Sequence, residues 1–282
     1  MVTSLRLECT QFKGLLMMTK NSMITGFLVG GFIMWCSCSK PADGNSGAYK
    51  LSYGDSILYL RSTGNNIVNP TEYRPGSYTG FPEGIEIDEN TGAINLSNSE
   101  TGLRYRITHR APDGTETRAI VVISGITFSD KFYHLSTGDS IAPPVYNASE
   151  VRSLPLAGSN FDEGNTANSG GCSVRTDNGK INLAQCVRNG IFGSTPLNDE
   201  RRDFEIAYRL NDGSNKVLNK IKVRIYYYDR MSDVAPDLLQ TLQDRESLGV
   251  FLRNNNSVQP NTASRASATA KPRPPCVIIV NQ

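Results

Sequence analysis

Residues 84–96 read GIEIDENTGAINL, and this stretch decides the fold. Ile85, Glu86 and Ile87 alternate apolar with polar. Asp88, Glu89, Asn90, Thr91 and Gly92 follow as turn formers, and residues 93–96 make a second short apolar run. Asp and Asn side chains bond their own backbone in turns, and Gly supplies positive φ without steric cost. Two short runs around such a cluster predict a β-hairpin. The same sentence returns downstream, where TGAINL at 91–96 is echoed by NGKINL at 178–183. Two further islands recur around it in the same order. YKLSYGDSI at 49–57 answers to YHLSTGDSI at 133–141, and YRITHRAPDG at 105–114 answers to FEIAYRLNDG at 204–213. The offsets are 84, 87 and 99 residues, taken as differences of residue numbers. The chain is therefore a duplicated module whose second copy carries insertions.

Each copy is built from short β-type runs separated by turn residues. Leu, Tyr and Ile alternate with Arg and Thr over 103–109, the period of a half-buried strand, and Asp113-Gly114 is the next turn. In the second copy Ile221, Val223, Ile225 and Tyr227 fall on one face of a strand. Lys220, Lys222, Arg224, Tyr226 and Tyr228 fall on the other. Regularly spaced strands of this kind predict an antiparallel sandwich. Polar loops are expected at 159–171 and 187–198. After the second copy, residues 236–253 predict a helix, with Asp237 as its cap and Leu238, Leu239, Leu242, Arg245 and Glu246 at helical spacing. Residues 254–275 are rich in Ser, Ala, Thr and Pro and predict a disordered linker. Residues 276–280 predict one last strand, added to a sheet edge; a tail unstructured throughout is the alternative reading.

The string over 84–96, continued by Ser99-Glu100-Thr101-Gly102 and Tyr105-Arg106-Ile107-Thr108, resembles the immunoglobulin-type, cadherin-like repeats of bacterial surface proteins. The first copy matches over about 25 residues. The second keeps Asn178-Gly179, Ile181, Leu183, Phe204 and Ile206, but has Val174 and Arg175 where the pattern wants Ile-Asp. The resemblance implies an all-β fold of two tandem antiparallel Ig-like β-sandwich modules, over 49–125 and 126–230, with 231–282 as a variable tail. It implies an extracellular spacer, adhesion or ligand-binding role and does not imply catalysis, so a non-enzymatic protein is expected.

The start of the chain resembles a Bacteroidetes-type lipoprotein signal. Lys20 precedes a mostly apolar run over 23–35, too short to span a bilayer, which needs roughly 20 residues. Trp35-Cys36-Ser37-Cys38-Ser39-Lys40 then follows. In such signals a small residue precedes the acylated cysteine, so Cys38, after Ser37, is the expected lipidation site. Residues 1–37 would be the signal and 38–48 a tether. An ordinary cleaved signal is the alternative reading. The expected location is the cell envelope, lipid-anchored at the outer membrane.

Charge excludes one class of partner. Residues 1–37 hold Arg6, Lys13 and Lys20 against Glu8. Removing these from the 29 basic and 27 acidic residues of the whole chain leaves 26 of each. A net charge of zero gives no footprint for nucleic acid. The expected partners are membrane lipid, through the acylated cysteine, and a protein or glycan ligand.

Candidate chemistry is sparse. Gly54-Asp55-Ser56-Ile57 and Gly138-Asp139-Ser140-Ile141 look like the nucleophile block of GDSL-type esterases, but neither His109 nor His134 has Asp three positions before it. A repeated turn explains both blocks better. With two histidines, no spacing suits zinc, and no cofactor is expected. Asp88, Glu89 and Asn90, or Asp113, could offer oxygens to calcium, although turns use the same residues. Tyr73, Tyr78 and Phe81 lie in a loop-like stretch that could present aromatics to a sugar, or else pack at a sandwich edge. Cys172 and Cys186 stand seven positions either side of Gly179. A hairpin turning there would bring them opposite, and in an oxidising compartment they could form a disulfide. Free buried thiols are the other reading, and Cys276 is left over.

Overall fold

The chain folds as the duplicated hairpins demand. The structure, a computed structural model, describes residues 49–247 and 274–282. The expected signal, tether and most of the expected linker lie outside these.

The first repeat holds β1 (Ile57–Leu58), β2 (Ile67–Val68), β3 (Ser77–Phe81), β4 (Glu86–Ile87), β5 (Ile94–Asn95), β6 (Arg104–Arg110) and β7 (Glu116–Ile123). They form a four-stranded sheet of order β1-β7-β6-β3 and a three-stranded sheet of order β2-β5-β4. All pairs are antiparallel except β1 with β7, where Ile57 lies beside Val122. This is the seven-strand, two-sheet plan of an immunoglobulin-like sandwich. Its core joins Leu58, Tyr78, Ile94, Tyr105, Ile107 and Ile123.

The second repeat opens with β8 (Ile126–Phe128), β9 (Lys131–His134), β10 (Ile141–Ala142), β11 (Pro144–Tyr146) and β12 (Asn160–Phe161). A helical turn, α1 (Thr166–Ser169), leads to β13 (Ile181–Asn182) and α2 (Leu183–Arg188). Then come the long strands β14 (Glu200–Arg209) and β15 (Leu218–Tyr228), the helix α3 (Pro236–Ser247), and β16 (Cys276–Val280). The main sheet runs β12-β14-β15-β16-β9, beside two-stranded sheets β10-β13 and β8-β11.

The repeated islands mark shared geometry. Asp88 N–H donates to the Ala93 carbonyl and Gly92 N–H to the Asp88 carbonyl; Arg175 and Lys180, then Gly179 and Arg175, make the same two bonds. Gly92 and Gly179 sit at φ +73° and +69°, where a Cβ would stand 2.6 Å from the Tyr78 ring and 2.8 Å from the Phe161 ring. Only glycine suits these turns. The two GDSI blocks share a left-handed glycine, with Gly54 and Gly138 both at φ +82°, although only Gly138 closes a 3-10 turn, over Leu135–Thr137. They part afterwards: Ile57 pairs with the closing strand β7, whereas Ile141 pairs with Asn182 of β13.

The tail corrects two expectations. First, β16 is an interior strand. It lies parallel to β15 on one side and to β9 on the other, with Ile279 beside both Tyr227 and Tyr133. All five of its residues are buried. Val277 and Ile279 face the main core, while Cys276 and Ile278 face Tyr226, Tyr228 and Leu238 under α3. A strand buried on both faces reads as a continuous apolar run, which is what CVIIV is. Second, α3 begins at Pro236, a residue suited to a first helical position, and not under an Asp237 cap.

The loops of the second repeat are more ordered than their composition suggests. In 159–171 the buried Asp162 accepts from the backbone N–H groups of Ala167 and Asn168, at 2.9 Å each, and from the Asn168 side chain. Cys186 stands on α2, not on a hairpin strand, because Asn182 caps a helix there by accepting from Gln185 N–H.

The described residues belong to one compact unit. The two repeats meet around the buried Tyr208. Its hydroxyl lies 2.9 Å from Thr101 Oγ1 and accepts from Ile126 N–H at 3.2 Å. Ser124 and Tyr146 both donate to Asp212 Oδ2, at 2.8 and 2.9 Å. Tyr208→Phe is expected to cost about 1–3 kcal/mol in denaturant unfolding, because it orphans two buried polar groups. Among the described residues no helix is long and apolar enough to cross a membrane.

Candidate functional site

The same junction leaves a cleft open. Residues 97–101 of the first repeat form one wall, and the outer face of β14 and β15 forms the other, with Pro274 at the side. The cleft has a volume of about 750 Å³. Period-two alternation puts Lys220, Lys222 and Arg224 on this face. Further along β15, Tyr226 and Tyr228 continue the same face but are covered by α3.

The β-strand wall is a ladder of opposite charges. Arg224 grips Asp203 through two bonds of 2.6 and 2.8 Å, and Lys220 Nζ lies 2.7 Å from Glu205. The Arg224 fork holds the Asp203 carboxyl below its ordinary range, and Asp203 raises the Arg224 guanidinium in return. The Lys222 ammonium stands outside these pairs, and its charge adds to the field that holds Asp203 low.

Glu100 is the unusual member of the opposite wall. Its backbone is tied down: the N–H donates to the Gly84 carbonyl, and the carbonyl accepts from the Tyr105 hydroxyl at 2.8 Å. The residue as a whole is partly exposed, but Oε2 is closed off from solvent and has no hydrogen-bond partner. Burial pushes its carboxyl up to about 8; the Arg245 charge opposes this and the Asp130 charge adds to it. Near neutrality Glu100 therefore holds a proton and can donate as well as accept.

This proton has a consequence for stability. The native state binds it more tightly than the unfolded chain, whose carboxyl titrates near 4.5. The native advantage is constant below that value, falls as pH rises through the interval up to about 8, and is gone above it. Urea midpoints are expected to drop between about pH 5 and pH 9 by the equivalent of a few kcal/mol. Glu100→Gln is expected to flatten that drop.

The residues singled out from sequence scatter. Tyr73 is exposed, Phe81 is half-buried under the Arg106 guanidinium at 5.2 Å, and Tyr78 is fully buried. Tyr78 bonds the Arg74 backbone through its hydroxyl and packs on the Gly92 turn, so it does not face a ligand. The three form no shared aromatic platform. Asp88 Oδ1 accepts from Asn90 and Thr91 N–H, and Asp113 Oδ1 from Thr115 N–H, so both act as turn locks. Among the described residues, no group of three or more His, Cys, Asp and Glu could hold a metal ion. His109 is buried on the Pro75 carbonyl, and neither histidine bonds Ser56 or Ser140.

Cys172 and Cys186 are brought together, though not by the expected hairpin. Both are free and fully buried. Their side chains hydrogen-bond, and Cys186 Sγ also accepts from Ser173 N–H at 3.2 Å. These bonds hold the Cys186 thiol below its ordinary range and raise Cys172. Cys38 lies outside the described residues.

Sequence reasoning missed Glu100, Tyr208 and Asp212 as junction residues. Their offsets from the repeated islands were visible, but which residues of one repeat touch the other is a property of the docked pair. No protein-family model matches the chain, and no curated protein matches it. Among solved structures, that of Drosophila N-cadherin EC1-4 is similar at 11% identity and a TM-score of 0.21, over 63% of this chain and 48% of that one. This chain thus matches about half the length of that structure, and a likeness of this size carries no argument about fold or function.

Proposed function

We propose that the chain is a cell-envelope lipoprotein, anchored at the outer membrane through acylated Cys38, whose paired sandwiches act as a non-catalytic adhesion or ligand-binding module. The observation that carries the binding reading is the junction cleft. It presents the charged ladder of β14 and β15 and, within it, the Lys222 ammonium. Such a wall suits a polar ligand with many hydroxyl and carbonyl oxygens, of which a glycan is the leading case. The anchoring reading rests on the lipoprotein-type string around Cys38.

Two experiments separate the parts. Radiolabelled palmitate is expected to enter the full chain and to be lost in Cys38→Ala; unchanged labelling would overturn the anchor. A glycan array is expected to show binding that falls at least ~10-fold in Lys222→Ala, the loss of about one charge-assisted bond. A blank array, with a partner recovered instead from solubilised membranes, would favour a second reading, a structural spacer or assembly component. The bonded junction around Tyr208 favours that reading, because it fixes the repeats to each other.

The same compartment bears on the cysteines. Export to an oxidising environment is expected to close Cys172 and Cys186 into a disulfide by exchange with a disulfide oxidant. Both are then expected to resist alkylation in the unfolded chain until reductant is added.

A further inference from the structure

The strand β14 is 10 residues long, but β12 pairs only with its far end, at Tyr208 and Arg209. Hydrogen bonds fix which of its main-chain groups face the uncovered side. Arg224 N–H donates to the Pro275 carbonyl, so the even residues of β15 turn toward β16 and the odd ones toward β14. The ladder sets those odd residues opposite Glu200, Arg202, Phe204 and Ile206. The N–H and C=O groups of Arg201, Asp203 and Glu205 therefore point away from β15, because both groups of one strand residue lie on the same side. Two contacts agree. The Ala207 carbonyl, in step with them, accepts from Glu163 N–H, and the Arg201 carbonyl accepts from the neighbouring Arg202 guanidinium at 3.0 Å.

Over residues 200–206 this edge has no strand beside it among the described residues. An open edge of this kind is a template for another strand. Arg201, Arg202, Asp203 and Glu205 are exposed there, and Phe204 is half-buried. Their order is self-complementary. A two-fold axis at Asp203 sets Arg201 of one copy opposite Glu205 of the other, and symmetry repeats that pair at the other end. Like charges meet only at Asp203, where Arg224 of each copy already holds the carboxylate through two bonds. An axis at Arg202 would set Glu205 against Asp199, whose N–H is already given to the Tyr227 carbonyl. An axis at Phe204 would set Asp203 against Glu205. Charge and main-chain direction thus select one register.

We propose that the open edge of β14 is an interaction surface, and that its partner is the same edge of a second copy of this chain, paired antiparallel about Asp203. Arg201, Asp203 and Glu205 exchange main-chain bonds across the axis, two for each pair. The main sheets of the two copies thereby join into one. On the outer face Glu205, already held by Lys220 at 2.7 Å, gains the second copy's Arg201 on its other side, so the charges alternate along the row. On the inner face Arg202 releases the Arg201 carbonyl to a main-chain donor and comes to lie opposite Phe204, a guanidinium beside an aromatic ring.

The test uses the full chain bearing Cys38→Ala, so that acylation cannot drive association, in a nonionic detergent. Sedimentation velocity is expected to show a two-copy species that grows with concentration. Glu205→Arg sets like charges together on both sides of the axis and is expected to weaken association at least ~10-fold. Arg201→Glu is expected to do the same. The two substitutions together are expected to restore the two-copy species, because the swap rebuilds both pairs. A chain that stays single overturns the proposal, as does a two-copy species indifferent to either reversal. If a charge variant fails to fold, hydrogen exchange of the Cys38→Ala chain decides. The amides of Arg201, Asp203 and Glu205 are expected to exchange more slowly as concentration rises, and exchange there that ignores concentration overturns the proposal.

Discussion

Ile279→Ala is expected to lower the unfolding free energy by about 3–4 kcal/mol, near the upper part of the range for emptying a buried isoleucine site. Ile279 is fully buried, in register with Tyr133 on one side and Tyr227 on the other. Both neighbours are backbone-paired through β16, so neither can collapse into the cavity without breaking the ladder. For a chain of this size the melting temperature is expected to fall by roughly 6–16 °C. Leu218→Ala is the matched control. Leu218 is 41% exposed on the adjoining strand β15, and its loss is expected to cost under about 1 kcal/mol. Equal effects from the two substitutions would mean that β16 contributes little, and that the second repeat stands without its last strand.

Breaking the Asp130–Arg245 ion pair at the start of β16 is expected to cost as much for a different reason. Asp130 and Arg245 have side chains only 10% and 13% exposed, and Arg245 Nη1 lies 2.9 Å from both carboxylate oxygens. Asp130→Ala leaves a guanidinium nearly out of water without its counter-charge and orphans Cys276 N–H. The expected loss is about 3–5 kcal/mol. The double variant Asp130→Ala with Arg245→Met removes both charges and is expected to recover most of that loss, since the desolvation cost of the pair disappears with it. A double-mutant cycle measures the coupling. Additive losses would show that the two residues act separately, and that α3 is held by Leu238 and its apolar contacts alone.

The sequence makes the period-two strands and the turn glycines plain, because both depend on local chemistry. Gly92 and Gly179 could be read as equivalent turns from TGAINL and NGKINL, and the structure gives them the same bonds. The two faces of β15 were also readable, down to Tyr226 and Tyr228 lying opposite Ile225 and Tyr227. Arg245 carried a partial signal, since it follows Leu238 and Leu242 at helical spacing and so lies on the buried side of α3. What could not be read were properties of long-range pairing. A continuous run such as CVIIV announces burial on both faces, but not which strands will flank it. Asn182 looks like part of a hairpin until its side chain caps α2, which moves Cys186 off the expected strand while still placing it against Cys172. Glu100 is unremarkable in sequence, and only the docking of the repeats closes off its Oε2.

The parallel pairing of opening and closing strands has a mechanical meaning. A pull between the two ends of the described chain enters the first repeat through the start of β1 and leaves it from the end of β7. In the second repeat it enters β9 at Lys131 and leaves β16 at Val280. In each case the loaded strands run side by side in the same direction and are tugged from opposite ends. Force therefore shears the whole ladder at once and does not peel it one bond at a time. Resistance under tension would then be set by the rate of strand separation, with Tyr133, Tyr227 and Ile279 sharing the load in the second repeat.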